Sequence, residues 1–136
     1  MAKVEHIGIA VRNLKDSIAL YEKILNTGCY KVEAVGSENV NTAFFRAGET
    51  KIELLESTAN DGVIARFIEK KGEGLHHIAF EVEDIRAEMA RLKEEGFILL
   101  AEEPKKGADN KLICFLHPKS AGGVLVELCQ EIRDPQ

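Results

Sequence analysis

In "VEHIGIAV" (Val4–Val11) large apolar residues alternate with small or polar ones, so Ile7, Ile9 and Val11 share one face of a strand. His6, Gly8 and Ala10 share the other face. From Leu14 the period changes to that of a helix, with Leu14, Ile18, Tyr21 and Leu25 on one stripe and Asn13 placed as the N-cap. Seventy-one residues later the pattern returns in "GLHHIAFEVEDI" (Gly74–Ile85). His6 falls on His77, Ile7 on Ile78, Val11 on Val82, Asn13 on Asp84 and Leu14 on Ile85. Ile85, Met89 and Leu92 form the second helical stripe, capped by Asp84. "NTG" and "EEG" are read as glycine stops at Gly28 and Gly96.

Three strand-like runs follow each helix: "YKVEAV", "NTAFFRA" and "KIELLES" in the first half, "FILLAEE", "LICFLHP" and "VLVELCQ" in the second. Each half therefore reads β-α-β-β-β. Between them Val63, Ile64, Phe67 and Ile68 predict a short connector helix, with Asn60 or Asp61 near its start and Gly72 past its end. The expected fold class is α+β. A single domain, 1–136, is divided into module 1 at about 1–58, a connector at about 60–72 and module 2 at about 74–131.

Composition changes this picture little. A chain that is 45% hydrophobic and 30% charged buries a core like any soluble domain. No apolar run reaches membrane-spanning length, and "MAKVEHIG" lacks the apolar core of a signal peptide, so the expected location is cytoplasmic. Cys29, Cys114 and Cys129 are odd in number and lack a CxxC spacing, which fits reduced thiols. A net charge of −5 argues against nucleic acid as a partner, and an anionic ligand would need a local basic patch.

Strand alternation also sorts the candidate chemistry. In "KIELLES" Ile52 and Leu54 lie on the apolar face and Glu53 on the other. In "GVLVELCQ" Val124, Val126 and Leu128 lie on the apolar face and Glu127 on the other. A mid-strand carboxylate flanked by aliphatics is expensive to bury unless something compensates it, and a divalent cation is the simplest compensator. His6 with Glu53, and His77 with Glu127, occupy the same slots of the two repeats. Two imidazoles and two carboxylates suit Co²⁺, Ni²⁺, Zn²⁺, Mn²⁺ or Fe²⁺. His76, like its counterpart Glu5, points to the helix-packed side or its rim. His76 and His117 read as structural or supporting residues.

These motifs resemble the glyoxalase, or vicinal oxygen chelate, superfamily. "HIGIAVRNL", "KIELLES", "HHIAFEVEDI" and "GVLVELCQ" match its paired βαβββ modules across essentially the whole chain. Within it, "EGLHHIAFEV", "TKIELLESTANDGVIARFIEKKGEG" and above all "FLHPKSAGGVLVEL" resemble the methylmalonyl-CoA epimerases. The resemblance implies a curved, partly closed mixed sheet around a metal, with His6, Glu53, His77 and Glu127 as ligands and Co²⁺ or a similar ion as cofactor. It implies epimerisation of methylmalonyl-CoA by 1,1-proton transfer through a metal-stabilised enediolate, and a homodimer. One departure concerns the bases. Some epimerases carry glutamine at the place of Glu53 and a separate glutamate, as one of two bases, where this chain has Thr42. Threonine cannot serve as that base, so Glu53 and Glu127 are the expected acid/base pair.

Coenzyme A carries phosphates, for which Lys105, Lys106 and Lys119 are candidate partners, with Ser120 in the "HPKSAGG" segment read as a mobile loop over the site. Three other readings remain: a glyoxalase I acting on a glutathione hemithioacetal, an extradiol-type dioxygenase, and a non-catalytic ligand-sequestering protein of the same fold. The "FLHPKSAGG" segment counts against the first. Four protein ligands leave less room for oxygen and a catechol in the second. The third would need no metal.

Overall fold

In the computed structural model, which describes residues 2–133, each half folds from the same string of elements. The first half contains β1 (Lys3–Ala10), α1 (Leu14–Leu25), β2 (Lys31–Val35), β3 (Val40–Ala47) and β4 (Thr50–Ser57). The connector is α2 (Val63–Lys71). The second half contains β5 (Gly74–Glu81), α3 (Ile85–Glu94), β6 (Lys105–Lys106), β7 (Lys111–Leu116) and β8 (Val126–Glu131). Packing divides the chain between Glu5 and His6 and again between His76 and His77, so the first residues of β1 group with the second unit.

In the first unit, β1 from His6 onward runs parallel to β4, while β3 is antiparallel to both β4 and β2. Helix α1 packs against β3 and β4. Its stripe of Leu14, Ile18, Tyr21 and Leu25 closes on Ile7, Ile9, Val11, Ala43, Phe45 and Leu54. In the second unit β5 runs parallel to β8, β7 is antiparallel to β8, and β6 pairs with β7. There Ile85, Met89 and Leu92 of α3 pack on Cys114, Leu116 and Leu128. A β-strand can bury only one face under its helix, which leaves the opposite face of each unit for chemistry.

The two helices start as expected. Asn13 Oδ1 accepts from Asp16 N–H at 2.9 Å, and Asp84 Oδ1 accepts from Ala87 N–H at 3.1 Å. A second tether is also duplicated. Leu14 N–H donates to Glu56 Oε2 at 2.8 Å, and Ile85 N–H donates to Gln130 Oε1 at 2.8 Å. Each side chain stands three residues past the mid-strand glutamate of its own unit, so it ties the helix start to that strand.

Four local expectations are revised. Helix α1 stops at Asn26, which takes the left-handed conformation (φ 52°), and not at Gly28. Helix α2 begins after Gly62 without a side-chain cap, so neither Asn60 nor Asp61 caps it. "FILLAEE" is not a strand. It follows β7 through a bridge at Leu99 and the Leu100 N–H bond to Phe115, and regular pairing resumes only at Lys105–Lys106. The hydrogen-bonding capacity beside β7 is met partly by loop contacts, since Ile98 bonds to His117 and Ser120. Val124, assigned to the last strand, lies outside β8 and is exposed.

Candidate active site

On the free face of the first unit, His6 of β1 and Glu53 of β4 meet. The strand register pairs Gly8 with Glu53 and His6 with Lys51, which puts the imidazole diagonally beside the carboxylate. Its Nδ1 lies 3.3 Å from Glu53 Oε2, and both side chains are about 95% buried, at 6% and 5% exposure. The second unit repeats this. Ala79 pairs with Glu127, and His77 Nε2 lies 3.3 Å from Glu127 Oε1, with both side chains 5% exposed. The small residues Gly8 and Ala79 leave room for each contact.

The same slot is framed by an aromatic ring in both units. Phe44 stands directly across from Glu53, and Phe115 directly across from Glu127. The Phe115 ring meets the His77 ring edge-on, with centroids 5.7 Å apart at 87°. Neither ring was singled out in the sequence, though Phe44 and Phe115 keep the 71-residue offset of the histidines. The two glutamates are 74 apart because the connection from β7 to β8 is three residues longer than the hairpin from β3 to β4.

The donor set of each unit fits a borderline divalent cation. Ligand atoms held about 2.1 Å from a metal, at angles between about 90° and 110°, lie roughly 3.0–3.4 Å apart. The 3.3 Å separations fall in that range. Buried carboxylates need compensation, which such an ion supplies.

Lys105 and Lys106 are exposed on β6, opposite Ile113 and Leu112. Lys105 shares the sheet face of Glu127, through Ile113 and Cys129, whereas Lys106 is on the opposite face. "HPKSAGG" forms a hydrogen-bonded turn: His117 Nδ1 accepts from Lys119 N–H, while Ser120 Oγ donates to the His117 carbonyl and accepts from Ile98 N–H. Both of those Ser120 bonds hold the turn. The Lys119 side chain is exposed. His76 turns instead to the connector, packing edge-on against Phe67 at 4.9 Å, and burial lowers its pKa to about 4, which keeps it neutral. Thr42 is fully buried on the same face as Glu53, and its hydroxyl has no hydrogen-bond partner. Cys129 follows Glu127 on that face of β8. Burial first, then the Glu127 and Glu5 carboxylates, push its thiol upward, so it stays an S–H donor to the Phe80 carbonyl.

The model of the glyoxalase/bleomycin resistance protein/dioxygenase superfamily matches residues 5–115. An ethylmalonyl-CoA/methylmalonyl-CoA epimerase of Cereibacter sphaeroides is 41% identical over 132 residues, covering 96% of this chain and 98% of that protein. The mitochondrial methylmalonyl-CoA epimerase of Homo sapiens is 40% identical over 131 residues, covering 96% of this chain and 74% of that protein. A solved methylmalonyl-CoA epimerase in complex with methylmalonyl-CoA and ammonium superposes with a TM-score of 0.92 at 31% identity, covering 99% of each chain.

Proposed function

Because the chain belongs to the glyoxalase/bleomycin resistance protein/dioxygenase superfamily, and within it to the methylmalonyl-CoA epimerases, we propose that it inverts the α-carbon of methylmalonyl-CoA by moving one proton. The observation that carries this reading is the pair of repeat-related buried His–Glu contacts at 3.3 Å.

His6, Glu53, His77 and Glu127 would hold the divalent ion, with Co²⁺ the first choice among Co²⁺, Mn²⁺, Ni²⁺ and Zn²⁺. When bound, such an ion supplies Lewis-acid stabilisation of negative charge on the thioester oxygen. The chain's own residues handle the proton. Inversion needs one group to take the α-proton on one face of the substrate and a second to return a proton on the other. Glu53 and Glu127 have the chemistry for both roles, one as carboxylate and one as carboxylic acid. A carboxylate that held the ion would be a weakened base, so whichever of Glu53 and Glu127 takes the proton would do so uncoordinated. The closely packed Phe44 and Phe115 limit water around the carboxylates, which strengthens charge interactions there.

The test is proton NMR of one methylmalonyl-CoA epimer in D₂O with Co²⁺-loaded protein. Loss of the α-proton signal, together with appearance of the other epimer, is expected. Glu127→Gln should abolish exchange. Full exchange by a metal-loaded Glu127→Gln protein would remove Glu127 from its role. No exchange by the metal-loaded wild type would turn attention to a glutathione hemithioacetal. A cytoplasmic homodimer is the setting that goes with this reading. The free thiols of Cys29, Cys114 and Cys129 fit a reducing compartment, and no helix among the described residues is long and apolar enough to cross a membrane. Light scattering reads the mass.

A further inference from the structure

An acyl-CoA is lopsided, with a reacting acyl group at one end and phosphates at the other. The two His–Glu pairs, by contrast, are near copies. The cations tell the two units apart. On the first unit, the face that bears His6 and Glu53 also bears Lys31, Arg46 and Lys51. Lys51 is the register partner of His6 across β1–β4 and of Arg46 across β3–β4, and Lys31 stands opposite Phe44. Register partners on adjacent strands point to the same side of the sheet. Two of the cations are laid on rings: Lys31 Nζ is 4.4 Å from the Phe44 centroid, and the Arg46 guanidinium is 4.5 Å from that of Tyr30. Lys31 also lies 3.7 Å from Glu33, which orients it.

On the second unit the face that bears Glu127 carries two lysines, Lys105 opposite Ile113 and Lys111 opposite Glu131, and its strands carry no arginine. Leu100, bonded to Phe115, takes the place that Lys31 has beside Phe44. His117 stands 71 residues after Arg46, and Leu125 stands 74 after Lys51. Lys111 of that unit is buried against Glu81 at 3.5 Å, and Lys105 and Lys106 lie on β6.

We propose that Lys31, Arg46 and Lys51 form an anion-binding rim that takes the phosphate-bearing end of an acyl-CoA and so fixes which way the thioester lies. This rests on the acyl-CoA reading above. Strands spaced about 4.8 Å apart put Lys51 roughly 5 Å, Arg46 roughly 10 Å and Lys31 roughly 15 Å from the backbone of His6. A pantetheine arm spans that distance while its thioester stays beside His6. The Arg46 fork suits a phosphate bidentately and the lysines add point charge. Stacking on Tyr30 and Phe44 holds two of the cations extended before the ligand arrives. In a chain of net charge −5 this is the local basic patch that an anionic ligand requires.

The test compares methylmalonyl-CoA with methylmalonyl-pantetheine, which lacks the nucleotide, using wild type, Lys31→Gln/Arg46→Gln/Lys51→Gln and Lys105→Gln/Lys106→Gln proteins. The readout is the ratio of kcat/KM for the two thioesters. In the triple variant this preference for the full CoA ester should fall by at least about tenfold, the worth of a lost charge-assisted contact, and should lose its salt dependence. Should the triple variant fail to fold, Arg46→Gln alone, at an exposed position, carries the same comparison. An unchanged ratio overturns the inference, as does a loss confined to the Lys105/Lys106 variant. Wild type that epimerises neither thioester overturns the acyl-CoA reading itself. Activity with an unchanged ratio overturns only the rim.

Discussion

Replacing Glu56 with alanine deletes the half-buried carboxylate that receives the Leu14 N–H at 2.8 Å. That N–H belongs to the first turn of α1, where no intrahelical partner exists, and Asn13 already serves Asp16. A hydrogen bond to a charged group contributes about 1.5–3 kcal/mol, and the anion gains about 0.3–1 kcal/mol more from the helix N-terminus. Glu56→Ala should therefore cost about 2–3 kcal/mol. Glu56→Gln keeps the acceptor and loses only the charge, so it should cost about 1 kcal/mol. The second unit already uses a neutral amide at the equivalent place, and Gln130→Ala should cost about 1 kcal/mol. Urea unfolding at pH 7 reads these differences, with the midpoint moving while the slope holds. Equal losses for Glu56→Ala and Glu56→Gln, or a loss for Glu56→Ala below about 0.5 kcal/mol, would refute the role given to the tether.

Three further outcomes follow from the same geometry. Phe45 is fully buried and packs on Tyr21 at a centroid distance of 6.4 Å, so Phe45→Ala should destabilise by about 3–5 kcal/mol in the same unfolding assay. A Cβ at Gly107 would lie 2.7 Å from Ile113 Cδ1 and 3.0 Å from its Cγ2. Gly107→Ala should therefore cost about 1–3 kcal/mol in the wild type and much less in an Ile113→Ala background, which lacks the clashing atoms; an equal cost in both backgrounds would mean the strain lies elsewhere. Co²⁺ at a hundredfold its dissociation constant should stabilise the protein by about 2.7 kcal/mol, seen as a rise in Tm. Chelation should reverse that rise, and His6→Ala or His77→Ala should blunt it.

The sequence determined the repeat, because two strand–helix patterns 71 residues apart carry the same faces, caps and histidines. It also put His6, Glu53, His77 and Glu127 on the face away from the helices, since strand periodicity is a local property that side-chain order records directly. Helix ends were less legible. Asn26 and Gly28 both tolerate the left-handed turn, and which one takes it depends on where the chain must turn toward β2. "FILLAEE" had the composition of a strand, yet its pairing belongs to the partner strand and the turn at His117–Ser120, which local pattern does not encode. Register was likewise decided only in three dimensions. It brings Phe44 and Phe115 across from the glutamates, sends Glu56 and Gln130 to the helix starts, and lines up Lys31, Arg46 and Lys51 beside His6. These residues come from strands separated in sequence. Side-chain periodicity says which way a residue points, whereas its neighbour is set by the hydrogen-bonded pairing of whole strands.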